Sequence, residues 1–515
     1  MRRPTTVVFV SIAVGVLFLF PLGYLVYGTA FQAEDPWSII TSSTALGPLR
    51  RSLLIGVTSA AGAAVVGTAL AWLVVRTNVP GRRFWRVAAA LPLVIPSFVG
   101  AAALRAAFGP GGLVEAIPRP DGFAGAWITL VALSYPYVYL PVAARFAATP
   151  PSLEEAARSL GDTRRRALLR VTLPQARGAI AAGTMLVMLY ALSDFGAVSL
   201  MRYDTLTRAI FSSQLFAPSV AITLGLLLAV VALVVSTGEP VLSGKAVATA
   251  DTRPPRIHSL GRWRPWAGLS VLAIVSVAFV APVAVFLVWW LRGPIAGRQE
   301  LADLVESVTE LTGPAAGSTV AGVVAALAAV LVTLPVAYAA VRSHGRVSAR
   351  VPAVISSVFA LPGLVVALAI AFFALRAPDL LFSLYQTFPL LILAYVLHFG
   401  AQSMRASTVA LGALSSNVTE AAGTLGAGPA RRFLTIELPL MAPGLAAGAG
   451  LVMLSVLKEL PATLLLAPIG FDTLATRIWH AAEDGFLADV GIASLALILL
   501  SGILTWLLVL RPAAT

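Results

Sequence analysis

Hydrophobic residues run along this chain in long unbroken blocks without two-residue alternation, and short segments between the blocks hold nearly all of the Arg, Asp and Glu. A helix crossing a hydrocarbon core of ~30 Å needs roughly 20 apolar residues, so each block has the length of a membrane span. The ten-residue alternating segments of a transmembrane β-barrel are absent. The blocks predict about twelve helices, over 7–27, 52–75, 85–108, 126–149, 176–200, 216–238, 265–291, 318–341, 353–375, 384–404, 442–467 and 485–510. The expected fold is an all-α membrane protein with the lipid bilayer as its main solvent.

Composition agrees: 58% of the 515 residues are hydrophobic, 11% are charged and mean hydropathy is +0.90, too apolar for a water-soluble globule. The formal charge of +13 would admit a nucleic-acid partner, and its distribution removes that reading. With the amino terminus in the cytoplasm, the basic clusters fall on the cytoplasmic side: Arg2 and Arg3; Arg76, Arg82, Arg83 and Arg86; Arg158 to Arg177; Lys245, Arg253, Arg256, Arg262 and Arg264; Arg342, Arg346 and Arg350. This is the positive-inside pattern, and it predicts a multi-pass protein of the bacterial cytoplasmic membrane with both termini cytoplasmic. The first block follows Met-Arg-Arg, but it is longer than a signal-peptide core and no small-x-small site follows, so it is expected to stay as an anchor. Cysteine is absent, which excludes disulfides, Cys-ligated metal and a thiol nucleophile.

An internal repeat organises the blocks. Glu155-Ala156-Ala157, Gly161 and Leu173-Pro174 return 265 residues later as Glu420-Ala421-Ala422, Gly426 and Leu438-Pro439. Ala90-Leu91-Pro92 returns as Ala360-Leu361-Pro362, Ser193-Asp194 as Lys458-Glu459, and Asp204-Thr205-Leu206 with Arg208 as Asp472-Thr473-Leu474 with Arg477. The chain thus divides into a first half, 1–240, a Pro-rich basic linker, 241–264, and a second half, 265–515. Six spans per half is an even number, so the halves are expected to be parallel repeats about an axis along the membrane normal, with a pathway between them.

Both Glu-Ala-Ala segments fall in long cytoplasmic loops, 150–175 and 415–440, after the fourth span of each half. Ser152 with Glu155 has the spacing of a capping box, and Asn417 with Glu420 an analogous one. Gly161 and Gly426 suit the left-handed position that ends a helix. A second short helix is expected from Asp162-Thr163, or from Pro429 as a first-turn residue, until Pro174 or Pro439 stops it. One such loop would be an ordinary amphipathic connection; two matched copies at equivalent positions call for a partner.

Glu-Ala-Ala, Gly and Leu-Pro at this spacing resemble the coupling-loop signature of type I ABC importer permeases, and the resemblance covers nearly the whole chain. It implies that Glu155, Ala156, Ala157, Gly161, Glu420, Ala421, Ala422 and Gly426 contact two copies of an ATP-binding subunit. It also implies that an extracytoplasmic binding protein delivers the solute. The second copy departs by Gly423 after Ala-Ala, which loosens that helix by roughly 1 kcal/mol relative to alanine. A phosphate loop is missing from this chain: the nearest candidate, Gly238 to Gly244-Lys245-Ala246, has one residue too many and lacks the hydroxyl. No catalytic residue, cofactor or metal site is therefore expected here, and ATP and Mg²⁺ are expected on the partner ATPase subunits.

The fused halves and the segments Leu192 to Ser199, Lys458 to Thr463 and Gly470 to Ala475 look like the ferric-iron permease subfamily, whose relatives carry thiamine, 2-aminoethylphosphonate and other small anions. Asp194, Lys458 and Glu459 are ionisable groups within the fifth and eleventh blocks, which the repeat brings beside the pseudo-twofold axis. They are candidates for a gate or pathway contact, or for a Lys-Glu or Lys-Asp pair holding the halves together. His258, His344, His398 and His480 are scattered, and His398 reads as a satisfied packing residue. An ion-coupled secondary transporter shares the twelve-span, two-half plan, but it calls for coupling carboxylates at the midplane and has no use for matched Glu-Ala-Ala loops. No catalytic triad or paired catalytic carboxylates argue for an enzyme.

Overall fold

The computed structural model describes residues 5–33, 35–243, 256–293, 301–343 and 345–507. His344 and half of the expected linker, 244–255, lie outside the described residues. Within them the chain is helical, with two isolated backbone bridges and no strand. Among the described residues nine helices are long and apolar enough to cross a membrane, or eleven if two bent pairs each count as a span.

The bent pairs correct two expected straight spans. Arg82–Val94 meets Ser97–Ala107 at 91°, and Arg350–Val358 meets Gly363–Arg376 at 95°. Proline makes both breaks: Pro96 and Pro362 stand in extended backbone immediately before the second helix of each pair, and Ile95 before Pro96 is extended too. Proline disfavours helical backbone in the residue before it and has no N–H to give. The expected span 384–404 is the helix Phe388–Gly412, in which His398, Gln402 and Arg405 dilute the apolar character. It lies inside the bundle with Leu391, Tyr395, Leu397 and Met404 buried.

The duplication is visible in the packing. Ser43–Arg76 lies against Gly122–Ala148 and Leu173–Ser193, as Thr312–Arg342 lies against Phe388–Gly412 and Leu438–Leu457. Small residues make this close approach possible: Gly56, Ala60, Ala63 and Gly67 are buried along the first long helix, and Ser318, Ala321, Ala325 and Ala329 along its mate. The first span of each half crosses to the other half. Thr5–Phe31 packs on Thr312–Arg342, Arg346–Val358 and Gly363–Arg376, while Ala281–Arg292 packs on Ser97–Ala107. The halves therefore share one apolar core, with Phe18, Leu25, Phe98, Leu224, Leu368 and Val456 among its buried members.

Pro174 and Pro439 do not stop a helix. A π turn, Leu168–Thr172 in one half and Phe433–Glu437 in the other, comes immediately before each Leu-Pro, and the helix continues. The wider turn relieves the demand for a hydrogen bond from the proline nitrogen. Continuous helices consequently run over Arg165–Ser193 and Pro429–Leu457, so the fifth and eleventh spans begin inside the segments expected to be loop. The helix Pro218–Ser243 likewise runs past the expected end of the first half, and helix resumes at Gly261.

Candidate functional site

The two Glu-Ala-Ala segments form short helices of the same length, Pro151–Ser159 and Ser416–Thr424. Their start signals differ from expectation. Pro150 stands at the first N-cap with Pro151 in the first turn, so Ser152 makes no cap. At the second, Ser415 rather than Asn417 is the cap, its hydroxyl accepting from the Asn417 N–H at 3.3 Å. The stop signals are as expected: Gly161 and Gly426 have φ of 93° and 82°. Each turn is closed by an N–H beyond the glycine reaching back to an Ala carbonyl, Asp162 to Ala157 at 3.1 Å and Ala427 to Ala422 at 3.0 Å.

This geometry turns out two leucines that the sequence reading missed. Leu160 and Leu425, again 265 residues apart, are 89% and 88% exposed at the ends of the two helices. Glu155, Ala156, Glu420 and Ala421 are exposed, Ala157 is half-buried and Ala422 is buried. Each helix thus presents carboxylate, methyl and leucine side chains at one tip, a small apolar knob with a polar rim.

The carboxylate that fixes the first helix to the bundle is Glu154, beside the one singled out by sequence. It is 2% exposed, with Oε2 3.7 Å from Arg76 Nη2 and Oε1 3.1 Å from His258 Nε2. Arg76 ends the long helix Ser43–Arg76 and is wholly buried. His258 comes from the segment before the second half, which lies alongside Thr77 as a short parallel bridge: His258 N–H donates to the Arg76 carbonyl at 2.7 Å and Asn78 N–H to the His258 carbonyl at 3.1 Å. Burial pushes the Glu154 carboxyl up, but the hydrogen bond and charge of His258 with the charges of Arg76 and Arg256 outweigh it and hold it below the usual carboxylate range. The clue in the sequence was the doubled acid Glu154-Glu155, of which the structure buries the first and exposes the second.

Asp194, Lys458 and Glu459 occupy breaks in helices. Leu173–Ser193 ends at Asp194, whose Oδ1 accepts from the Ala197 and Val198 N–H groups at 3.0 and 3.1 Å and so caps the short helix Gly196–Leu200. Glu459 does the same for Pro461–Leu466, Oε1 accepting from Ala462 N–H at 3.2 Å. Lys458 Nζ instead donates to the Leu93 carbonyl at 3.1 Å, a bond from the second half to the bent span of the first. Among the described residues no ion pair joins Lys458 to either carboxylate; each carboxylate instead accepts from backbone N–H groups at a buried helix N-terminus. His398 rests against Phe359 and Phe399, and its Nδ1 is shielded without a partner, so it is packed but not satisfied. Among the described residues no three His, Asp or Glu side chains come together to hold a metal ion.

Comparison with known proteins adds a direct line. The family of binding-protein-dependent transport system inner membrane components matches the chain twice, over residues 63–238 and 332–511. The chain is 30% identical over 467 residues to the Fe(3+)-transport system permease protein FbpB 2 of Haemophilus influenzae, covering 89% of each chain. It is 31% identical over 191 residues to a probable molybdenum ABC transporter permease of Haloferax volcanii, covering 36% of this chain and 69% of that one. Against the sulfate transport system permease protein CysT of Escherichia coli the figures are 28% over 199 residues, 35% and 68%.

Proposed function

Since this chain belongs to the family of binding-protein-dependent transport inner membrane components and is the permease of an ABC importer, we propose that it passes ferric iron, received from an extracytoplasmic binding protein, between its two halves. ATP is hydrolysed on two copies of a separate subunit, which carry the nucleotide and Mg²⁺, and both termini of the permease face the cytoplasm with them. The observation that carries the coupling assignment is the pair of Glu-Ala-Ala helices, each closed by a left-handed glycine and tipped by an exposed leucine. A helix with a smooth Ala-Ala face and one projecting apolar side chain fits a cleft in a partner, in the helix-in-groove manner. Iron is favoured over the molybdenum and sulfate of the other two relatives named because the Fe(3+) permease matches 89% of this chain and they match 36% and 35%.

The central groups suit a moving pathway. Asp194 and Glu459 cap short helices at breaks in matched spans of the two halves, and Lys458 reaches from the second half to the Leu93 carbonyl of the first, so separating the halves breaks that one bond while the two caps stay within their own halves. The test replaces both Ala pairs, Ala156-Ala157 and Ala421-Ala422, by Asp-Asp. The expected outcome is loss of the co-purifying ATPase and of radioactive ferric uptake in reconstituted vesicles, with normal membrane insertion. Retention of the ATPase at normal stoichiometry would overturn the coupling assignment, and uptake of molybdate or sulfate but not ferric iron by the parent would overturn the solute.

A further inference from the structure

At the end of the bundle away from the Glu-Ala-Ala helices, a cavity of about 320 Å³ opens between the halves. The long helix Ser43–Arg76 fixes which end this is: Arg51 near its start lies 3.7 Å from Asp204, just before the cavity's own helix Leu206–Ser213, whereas Arg76 at its finish meets Glu154. Arg105, Arg202, Arg208 and Ser199 line the cavity from the first half, Trp479 and Glu483 from the second. Part of the wall is aromatic, with the Phe195 ring centroid 4.5 Å from Phe211 and 5.2 Å from Trp479 across the boundary between halves.

Three observations mark this cavity as made for negative charge. Its guanidinium groups outnumber its carboxylate, and the excess comes from one half only. Arg208 is paired with Asp204, as its repeat mate Arg477 is with Glu310 at 3.4 Å and Asp489 at 3.3 Å, so Arg105 and Arg202 are the two guanidinium groups left to set against Glu483. Arg202 next holds a backbone position that does not suit it. Its φ is 53°, in the left-handed turn after Gly196–Leu200 where the second half has Gly470 at φ 80°. The turn is closed by Tyr203 N–H donating to the Val198 carbonyl at 2.8 Å. A glycine would serve this turn without the penalty that a side chain incurs there, so the arginine is retained against local preference. Finally, Ser199 Oγ is shielded from solvent and has no hydrogen-bond partner, which leaves a hydroxyl donor to offer. Guanidinium forks beside a free hydroxyl match the bidentate geometry of an oxyanion.

We propose that this cavity binds a small tetrahedral oxyanion, free or as a ligand of the ferric ion, through Arg105, Arg202 and Ser199. As a station on the solute's route the site rests on the importer reading; as a binding site it is measured independently of transport. The full chain in nanodiscs is titrated with radiolabelled inorganic phosphate, with and without equimolar ferric ion, alongside the variants Arg202→Gly and Arg105→Gln. Saturable binding is expected, weakened about tenfold in either variant by loss of one charge-assisted contact. Arg202→Gly should melt no lower than the parent, since it installs the residue its repeat mate already uses, so weaker binding there cannot be put down to misfolding. Binding without iron assigns the free oxyanion, and binding only with iron assigns the metal complex. No saturable binding in either arm, or an Arg202→Gly variant that binds as the parent does, overturns the proposal. So does a result in which phosphate is ignored but Arg202→Gly loosens the hold on the binding protein, because the arginines would then serve protein carboxylates. Phosphate binding that persists in a chain unable to take up ferric iron sinks the solute reading and leaves this one standing.

Discussion

Glu154 shows how much one buried carboxylate governs. Its partners Arg76, His258 and Arg256 come from the end of a long helix and from the segment before the second half, so its charge ties three pieces of backbone together. Removing one member of a buried pair strands the other: Arg76→Met should destabilise by roughly 3–5 kcal/mol, and Arg76→Met with Glu154→Leu by clearly less. Thermal melts of the two variants in the same detergent check this. The pH sign follows from the lowered carboxyl. A group whose folded value lies below its unfolded one contributes fully above the unfolded value and loses that contribution as pH falls through the folded one. Stability should therefore hold from neutral pH down to the ordinary carboxylate value and decline below it, and Glu154→Gln should flatten that acid limb. The same residue marks a limit of sequence reading. Glu154 and Glu155 are neighbours, and which one turns inward depends on the phase of a nine-residue helix set by Pro150 and Pro151 rather than by the expected Ser152 cap.

Among the elements, the two short helices were legible because glycine at a left-handed turn leaves a mark that no other residue imitates. Gly161→Ala with Gly426→Ala places a Cβ at φ of 93° and 82°, at roughly 1–2 kcal/mol each. Folding and insertion should survive, since nothing crowds either position. Solute-stimulated ATP hydrolysis should fall while basal hydrolysis by the partner persists, as measured in proteoliposomes. The prolines were less transparent. Pro174 and Pro439 read as stops, whereas Pro96 and Pro362 sit within blocks that read as straight spans, and the structure reverses both. A π turn spares the first pair, a backbone preference that hydropathy does not record. The second pair falls at bends whose second arms, Ser97–Ala107 and Gly363–Arg376, are largely buried, so apolar sequence follows directly from the corner and hides it. The outer arginines escaped for a related reason: Arg105, Arg202 and Arg208 come from separate elements, and only the fold brings them to one cavity.

Taken whole, the molecule is a duplication whose copies have diverged at their Glu-Ala-Ala helices. The first Glu-Ala-Ala helix is anchored through Glu154; the second has Thr419 at the matching position and Gly423 within the helix. Two propensity differences point the same way, so amide exchange over Ser416–Thr424 should be faster than over Pro151–Ser159 in the isolated permease, as read by hydrogen-exchange mass spectrometry. Equal protection of the two helices would show that the anchor adds nothing to local stability. That the chain holds two copies of one unit could be read from the repeat, but not this asymmetry, because it resides in a contact with a segment that belongs to neither copy of the motif.

That contact has a consequence for how such a subunit is made. His258 precedes the second half in the chain, yet its imidazole and backbone are held by the first. Were the halves produced as separate polypeptides, each could pair with a copy of itself, and an assembly of two first halves or two second halves would form with two like docks. Joining them in one chain puts an unlike partner beside each half at high local concentration, and the strap ties the first Glu-Ala-Ala helix down through His258, so on the coupling reading proposed above each importer inherits one firm and one compliant contact with its motor.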